Sequence, residues 1–211
     1  MEFPEPGQSH NRHNSSPIIR RARLAILIYA RKRHLPSFLP RCHAIPHERP
    51  ISMNLILWRH ADAENLPERM LEHHPSDLQR ALTERGLKQA GQIGRWLNER
   101  IDSDSLILAS PAIRAQQTAE ALGREFETVR EIAPGADTSA VLAAAGWPDG
   151  RAATVVVVGH QPTLGRVASL LLAGHEASWS IKKAGVWWFS NRRRDDEAQV
   201  VLRAVINPDL V

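Results

Sequence analysis

From Met53 onward the chain alternates short apolar runs with stretches of helical period, and few architectures tolerate that alternation. Leu55 to Trp58, Leu106 to Ala109 and the β-branched run Thr154 to Val158 read as buried strands, with a further strand over Phe126 to Ile132. Ala184 to Ser190 and Gln199 to Ile206 read as two closing strands. Between them lie helices. One is capped by Thr83 and carries Leu87, Ala90, Gly91, Gly94, Leu97 and Ile101 at helical spacing. Others start at Pro111, Asp137 and Pro162 and run to about Leu122, Gly146 and Ala173. Strands alternating with helices predict an α/β fold. The expectation is a single three-layer domain over 53–211, with a mostly parallel central sheet and helices on both faces.

Residues 1–52 differ in kind. They hold nine Lys/Arg against three Asp/Glu, seven of 14 prolines and none of six tryptophans, whereas the rest of the chain holds 18 Lys/Arg against 20 Asp/Glu. Without aromatic mass or sustained periodicity, such a segment cannot bury enough surface to offset its ordering entropy, so a basic, Pro-rich, disordered extension is expected. A start of translation at Met53, a targeting segment and a nucleic-acid-binding arm are the other readings of it. The basic total of +4 thus implies no nucleic-acid partner for the core. The single cysteine, Cys42, lies in the extension, which excludes disulfide, thiolate and Cys-built zinc chemistry from the core. No apolar run approaches the roughly 20 residues that span a bilayer. Leu24 to Ala30 is short for a signal peptide, and Glu2 and Glu5 suit a positive leader badly, so a cytoplasmic protein without membrane association is expected.

Three polar groups stand just beyond three of the strands. Arg59-His60 follows the first, Arg114 lies early in the helix after the second, and Gly159-His160 follows the run Thr154 to Val158. Open α/β sheets bind ligands outside the carboxyl ends of their strands. Gathered there, two guanidinium forks match phosphoryl oxygens. One neutral imidazole can attack phosphorus, and a second, as imidazolium, can hold the developing charge. The two arginines supply positive charge, so no metal or other cofactor is required. The pocket also requires that neither guanidinium be consumed by a structural carboxylate.

Leu57-Trp58-Arg59-His60-Ala61, Leu82-Thr83-Glu84-Arg85-Gly86, Ser110-Pro111-Ala112-Ile113-Arg114-Ala115-Gln116-Gln117-Thr118 and Gly159-His160-Gln161-Pro162 together resemble the histidine phosphatase superfamily, with its phosphoglycerate mutase-like fold. Within it the chain is most similar to the SixA-type phosphohistidine phosphatases, over Met53 to about Leu202. The resemblance implies a histidine phosphatase domain over 53–211, with His60 as nucleophile, Arg59 and Arg114 binding phosphate and His160 stabilising the transferring group. Ala61 stands where the superfamily usually has Gly, as in the SixA-like branch. Relatives acting on sugar phosphates also use a carboxylic acid on the leaving oxygen; of the candidates here, Asp62 and Glu64 are close to His60 in sequence only and Glu131 falls in a strand-like stretch, so none is a convincing counterpart. An alkoxide needs such an acid, whereas a protonated phosphoimidazole leaves as neutral imidazole.

The expected substrate is therefore a phosphohistidine-bearing protein in signal transduction. A small phosphomonoester such as a sugar or nucleotide phosphate is the alternative, and a non-catalytic phosphoprotein-binding module a third reading. A monomer is expected. Other features have plainer readings: Gly86, Gly91 and Gly94 as close helix packing, Trp187 and Trp188 as strand residues on opposite faces, and Glu72-His73-His74 as a solvated loop rather than a metal site. Lys182-Lys183 reads as a charged loop, and Arg192 to Asp196 as a hairpin tip.

Overall fold

The computed structural model describes residues 52–65, 77–194 and 197–211. The extension predicted over 1–52, apart from Ser52, lies outside the described residues, as do Glu72, His73, His74, Asp195 and Asp196.

Strand β1 (Asn54–Arg59) is followed by helix α1 (Glu84–Asn98), β2 (Leu106–Ala109), α2 (Ile113–Glu120), β3 (Glu127–Thr128), α3 (Thr138–Ala145), β4 (Thr154–Gly159), α4 (Thr163–Ala173), β5 (Val186–Arg194) and β6 (Glu197–Ile206). The strands form one sheet in the order β3-β2-β4-β1-β5-β6. The first four are mutually parallel, while β5 pairs antiparallel with β1 and β6 antiparallel with β5.

Strand parity sorts the core into two halves. Ile56, Trp58, Ile107, Val156 and Val158 face one side and pack with Ala90, Ile93 and Leu97 of α1 and Ala115 and Ala119 of α2. Leu55, Leu57, Leu108, Val155 and Val157 face the other and meet Val141 and Ala145 of α3 and Leu164, Val167 and Ala168 of α4. A sheet buried on both faces needs apolar residues at every position, and the all-valine run of β4 supplies them. This is the expected three-layer arrangement. Trp188 and Trp187 do fall on opposite faces, in the first and second core respectively.

Several boundaries differ from expectation for local reasons. β3 is two residues, because its partner β2 ends at Ala109 opposite Thr128; the chain then enters a 3₁₀ turn, Arg130–Ile132, so Glu131 does not sit in a strand. β5 starts at Val186 rather than Ala184, since Ala184 adopts a left-handed conformation (φ 58°) that turns the chain into the strand. α1 ends at Asn98 and α2 starts at Ile113, two residues after Pro111. Thr83 caps α1 as expected, its Oγ1 accepting from Gly86 N at 3.0 Å.

Of the three glycines of α1, two mark close packing. A Cβ on Gly86 would collide with the Asp62 carbonyl and one on Gly94 with that of Ala121, whereas Gly91 has ordinary room. Gly86→Ala is therefore expected to push α1 off the loop that follows β1. A contact this close with backbone places the cost at the upper end of the about 1–3 kcal/mol typical of overpacking, above the roughly 1 kcal/mol gained in helix propensity. Urea unfolding should show a lower midpoint at unchanged slope.

Candidate active site

The β1–β4 register builds the site. Arg59 lies opposite Gly159, so the next residues, His60 and His160, leave the sheet side by side. His60 N donates to Gly159 O at 3.0 Å, and the two rings stand 5.2 Å apart between centroids. The helix after β1 packs on one face of the sheet and the helix after β4 on the other, so the crevice between these strands is the switch point where open α/β sheets bind ligands. Ser110, the residue after β2, joins the row through its N–H to Val158 O at 3.1 Å.

Both imidazoles are buried, at 8% and 4% exposure, as is Arg114 at 4%. Nδ1 of His60 lies 2.8 Å from Ala61 O. A carbonyl only accepts, so this nitrogen carries the proton and Nε2 keeps its lone pair. Burial pushes the His60 pKa down to about 4, helped by the guanidiniums of Arg114, Arg59 and Arg80 and opposed by the bond to Ala61. His160 is pushed down to about 2 by burial, then by His60 and Arg114, with Asp77 pulling the other way. The imidazolium expected at His160 is thus replaced by a neutral ring. Its Nε2 stands 2.7 Å from Ser110 Oγ.

Arg59 gives NH1 to Ile181 O at 2.7 Å, and burial lowers its pKa. Arg114 gives NH1 to Asp77 O at 2.6 Å and NH2 to Asp77 Oδ2 at 2.8 Å. A carboxylate therefore does meet this guanidinium. It does not consume it: a guanidinium has five N–H donors, and Asp77 takes two of them, one on its main-chain carbonyl and one on a side chain that is itself 34% exposed. Among the described residues, Nε of Arg59, Nε of Arg114 and Nδ1 of His160 are all buried without a hydrogen-bond partner. Three such nitrogens beside two tilted histidine rings suit a tetrahedral oxyanion, which accepts on every side.

Sequence reasoning missed Asp77, which ties Arg114 to Arg80 through a 3.1 Å bond from Arg80 NH1 to its Oδ1. Burial raises the Asp77 pKa, but the hydrogen bonds from Arg114 and Arg80 outweigh it and hold the carboxyl below its usual range. A signal existed in the Asp77-Leu78-Gln79-Arg80 spacing, which matches one helical turn. Also unassigned were Gln117 and Thr118, whose side chains accept from Leu82 N at 2.7 Å and Ala61 N at 3.1 Å and so brace the loop after His60. Gln161 does the same beyond His160, bonding Trp179 O and Gly165 N, each at 2.8 Å.

The candidate acids are elsewhere engaged or exposed. Asp62 accepts from Lys183 Nζ and, at 2.9 Å, from Thr83 Oγ1, and these bonds, the lysine's first, hold its pKa low. Glu64 and Glu131 are exposed. Among the described residues no three His, Cys, Asp or Glu gather into a group, and no helix is long and apolar enough to cross a membrane.

Residues 55–137 match the family model for the histidine phosphatase superfamily (branch 1). An uncharacterised protein of Picosynechococcus sp. is 31% identical over 141 residues, which span 64% of this chain and 82% of that one. A second, from Mycobacterium tuberculosis, is 32% identical over 110 residues, 49% of this chain and 67% of its own. Among solved structures, one described as a SixA phosphohistidine phosphatase from Nakamurella multipartitia has 25% identity and a TM-score of 0.56, covering 74% of this chain and 96% of that one. The protein histidine phosphatase SixA complexed with tungstate has the same fold (22%, TM-score 0.57, 75% and 99% covered). So does a mycobacterial glucosyl-3-phosphoglycerate phosphatase (19%, TM-score 0.53, 74% and 99% covered).

The buried histidines carry a stability consequence. Their folded pKa values lie below the unfolded value near 6.5, so the unfolded chain binds more protons as pH falls, and stability present above pH 6.5 is lost on the way down to about 4 for His60 and about 2 for His160. At about 1.4 kcal/mol per pH unit per histidine, chemical denaturation should give at least about 2 kcal/mol less stability at pH 5 than at pH 7. His60→Ala should lose roughly half of that dependence.

Proposed function

Because the chain belongs to the histidine phosphatase superfamily, we propose that this phosphatase removes phosphate from a phosphohistidine on a partner protein through a covalent intermediate at His60. Nε2 of His60 attacks phosphorus. A new N–P bond forms at His60 as the substrate N–P bond breaks, and the departing imidazole keeps the proton on its ring and leaves neutral. Water then attacks the phosphohistidine, yielding inorganic phosphate and restoring the His60 lone pair. Arg59 and Arg114 hold the equatorial oxygens throughout, and His160 donates to the same group. The two guanidiniums provide the charge that a metal provides elsewhere.

The observation that carries this reading is the bond from Nδ1 of His60 to Ala61 O, which leaves the opposite nitrogen unprotonated in a cluster of buried donors. Substrate choice rests on the acids. Asp62 and Asp77 are both held ionised by cationic partners, and neither is a ready proton donor at neutral pH. A leaving group that departs as neutral imidazole suits such a site better than an alkoxide. A cleft of about 660 Å³ beside Asp62 supports a protein substrate, since Arg85 and Lys88 on its lining offer positive charge to an acidic partner surface, while Lys182 and Lys183 there are paired with Asp209 and Asp62. In this reading the enzyme acts as a cytoplasmic monomer in signal transduction.

Incubation with labelled phosphohistidine protein followed by rapid quench should trap acid-labile phosphate on the wild-type chain and none on His60→Ala, whose turnover should fall at least 1000-fold. Normal turnover by that variant would sink the mechanism. Phosphoramidate should be hydrolysed faster than an alkyl phosphate, with and without chelator. Equal rates would move the assignment to a small phosphomonoester, and loss on chelation would refute metal independence.

The pH–rate profile has a definite sign. Only neutral His60 attacks, so kcat/KM should show no acidic fall between pH 7 and about 5 and should fall as pH drops through about 4. An acidic limb near 6.5 would show that burial does not hold this ring neutral.

A further inference from the structure

Ser110 is fully buried at the end of β2. Its Oγ accepts from Ala112 N at 3.3 Å and stands 2.7 Å from Nε2 of His160. A hydroxyl has one proton to place. Among the described residues no other hydrogen-bond partner of that oxygen is found, which leaves two arrangements. In one, the hydroxyl donates to Nε2 and the imidazole proton sits on Nδ1. In the other, Nε2–H donates to the hydroxyl, and both the serine proton and the Nδ1 lone pair are left buried and unpaired.

The first arrangement strands one group and the second strands two, at about 1–3 kcal/mol for each. The first also directs all three unpartnered nitrogens, Nδ1 of His160 and Nε of Arg59 and Arg114, to act as donors. The second would set a lone pair beside the oxyanion that the guanidiniums bind.

We propose that Ser110 is a positioning residue that locks His160 in its neutral Nδ1–H tautomer, so that the second histidine stabilises the phosphoryl group as an uncharged donor rather than as an imidazolium. This inference rests on the phosphatase reading for its purpose but not for its geometry. The charged and titratable groups facing His160 are His60 beyond β1, Arg59 at the end of β1, Arg114 on α2 and Asp77. Two guanidiniums against one carboxylate oppose a further positive charge on the ring, in the same direction as burial.

Nitrogen-15 histidine labelling of the full chain reads the tautomer without turnover. Two-bond proton–nitrogen spectra at pH 7, assigned by the signals lost in His160→Gln, should show a pyrrole-type Nδ1 and a pyridine-type Nε2. Addition of inorganic phosphate should shift the Nδ1 proton and leave Nε2 unprotonated. Ser110→Ala should release the ring towards the Nε2–H form, weaken inorganic phosphate binding about tenfold and lower kcat/KM by at least as much. Ser110→Cys, similar in size but a poor donor, should follow the alanine variant, which separates the lost hydrogen bond from a packing defect. An Nε2–H or doubly protonated His160 in the wild type, with or without phosphate, would overturn the proposal. So would an unchanged tautomer in Ser110→Ala. Neither result bears on whether His60 is phosphorylated, so the two readings fail separately.

Discussion

The pairing of Arg59 with Gly159 across β1 and β4 is the constraint from which the site follows. Parallel strands in register bring their carboxyl ends level, and the residues just past those ends are the first with side chains free of the sheet. A one-residue slip would turn Trp58 from one core into the other and carry His60 away from His160. Each strand is held by an apolar residue on both faces, so the register is fixed by packing from two directions. The chemistry inherits its precision from valine, leucine and isoleucine.

Electrostatics then decides what the gathered groups are. Two arginines and two histidines share one buried crevice, and only the arginines keep their charge at neutral pH. Burial does most of this to the imidazoles, and the neighbouring guanidiniums add to it. The proposed mechanism divides the labour accordingly: fixed positive charge from Arg59 and Arg114, and from the histidines a lone pair and a hydrogen-bond donor. Asp77 tempers the arrangement by holding Arg114 and Arg80 on one carboxylate.

Most of the layer architecture was legible in the sequence, because runs such as Thr154 to Val158 admit no other reading and because the helices announce themselves by cap and period. The gathering of Arg59, His60, Arg114 and His160 was also legible, from their places at the end of a strand, just after one, or early in the helix that follows one. What was not legible depends on contacts between distant loops. Nothing in the chain couples Asp62 to Lys183, 121 positions away, so Asp62 looked available as an acid when it is bound to a cation. The protonation of His160 misled for a similar reason, since an isolated imidazole titrates near 6.5 and only the assembled crevice moves it. Local exceptions were smaller: β3 is short because its neighbour stops, and Gly91 fills no tight gap.

The division of the core by strand parity has one more consequence. The loop after His60 is braced by α2, through Thr118 and Gln117, while His160 leads directly into α4 on the opposite side of the sheet. Each half of the crevice is therefore bolted to a different slab of the molecule, with the sheet between them. Catalytic competence in such a design is a gauge of shear: a disturbance that slides one slab by a fraction of an ångström is felt at phosphorus while the hydrophobic interiors remain intact.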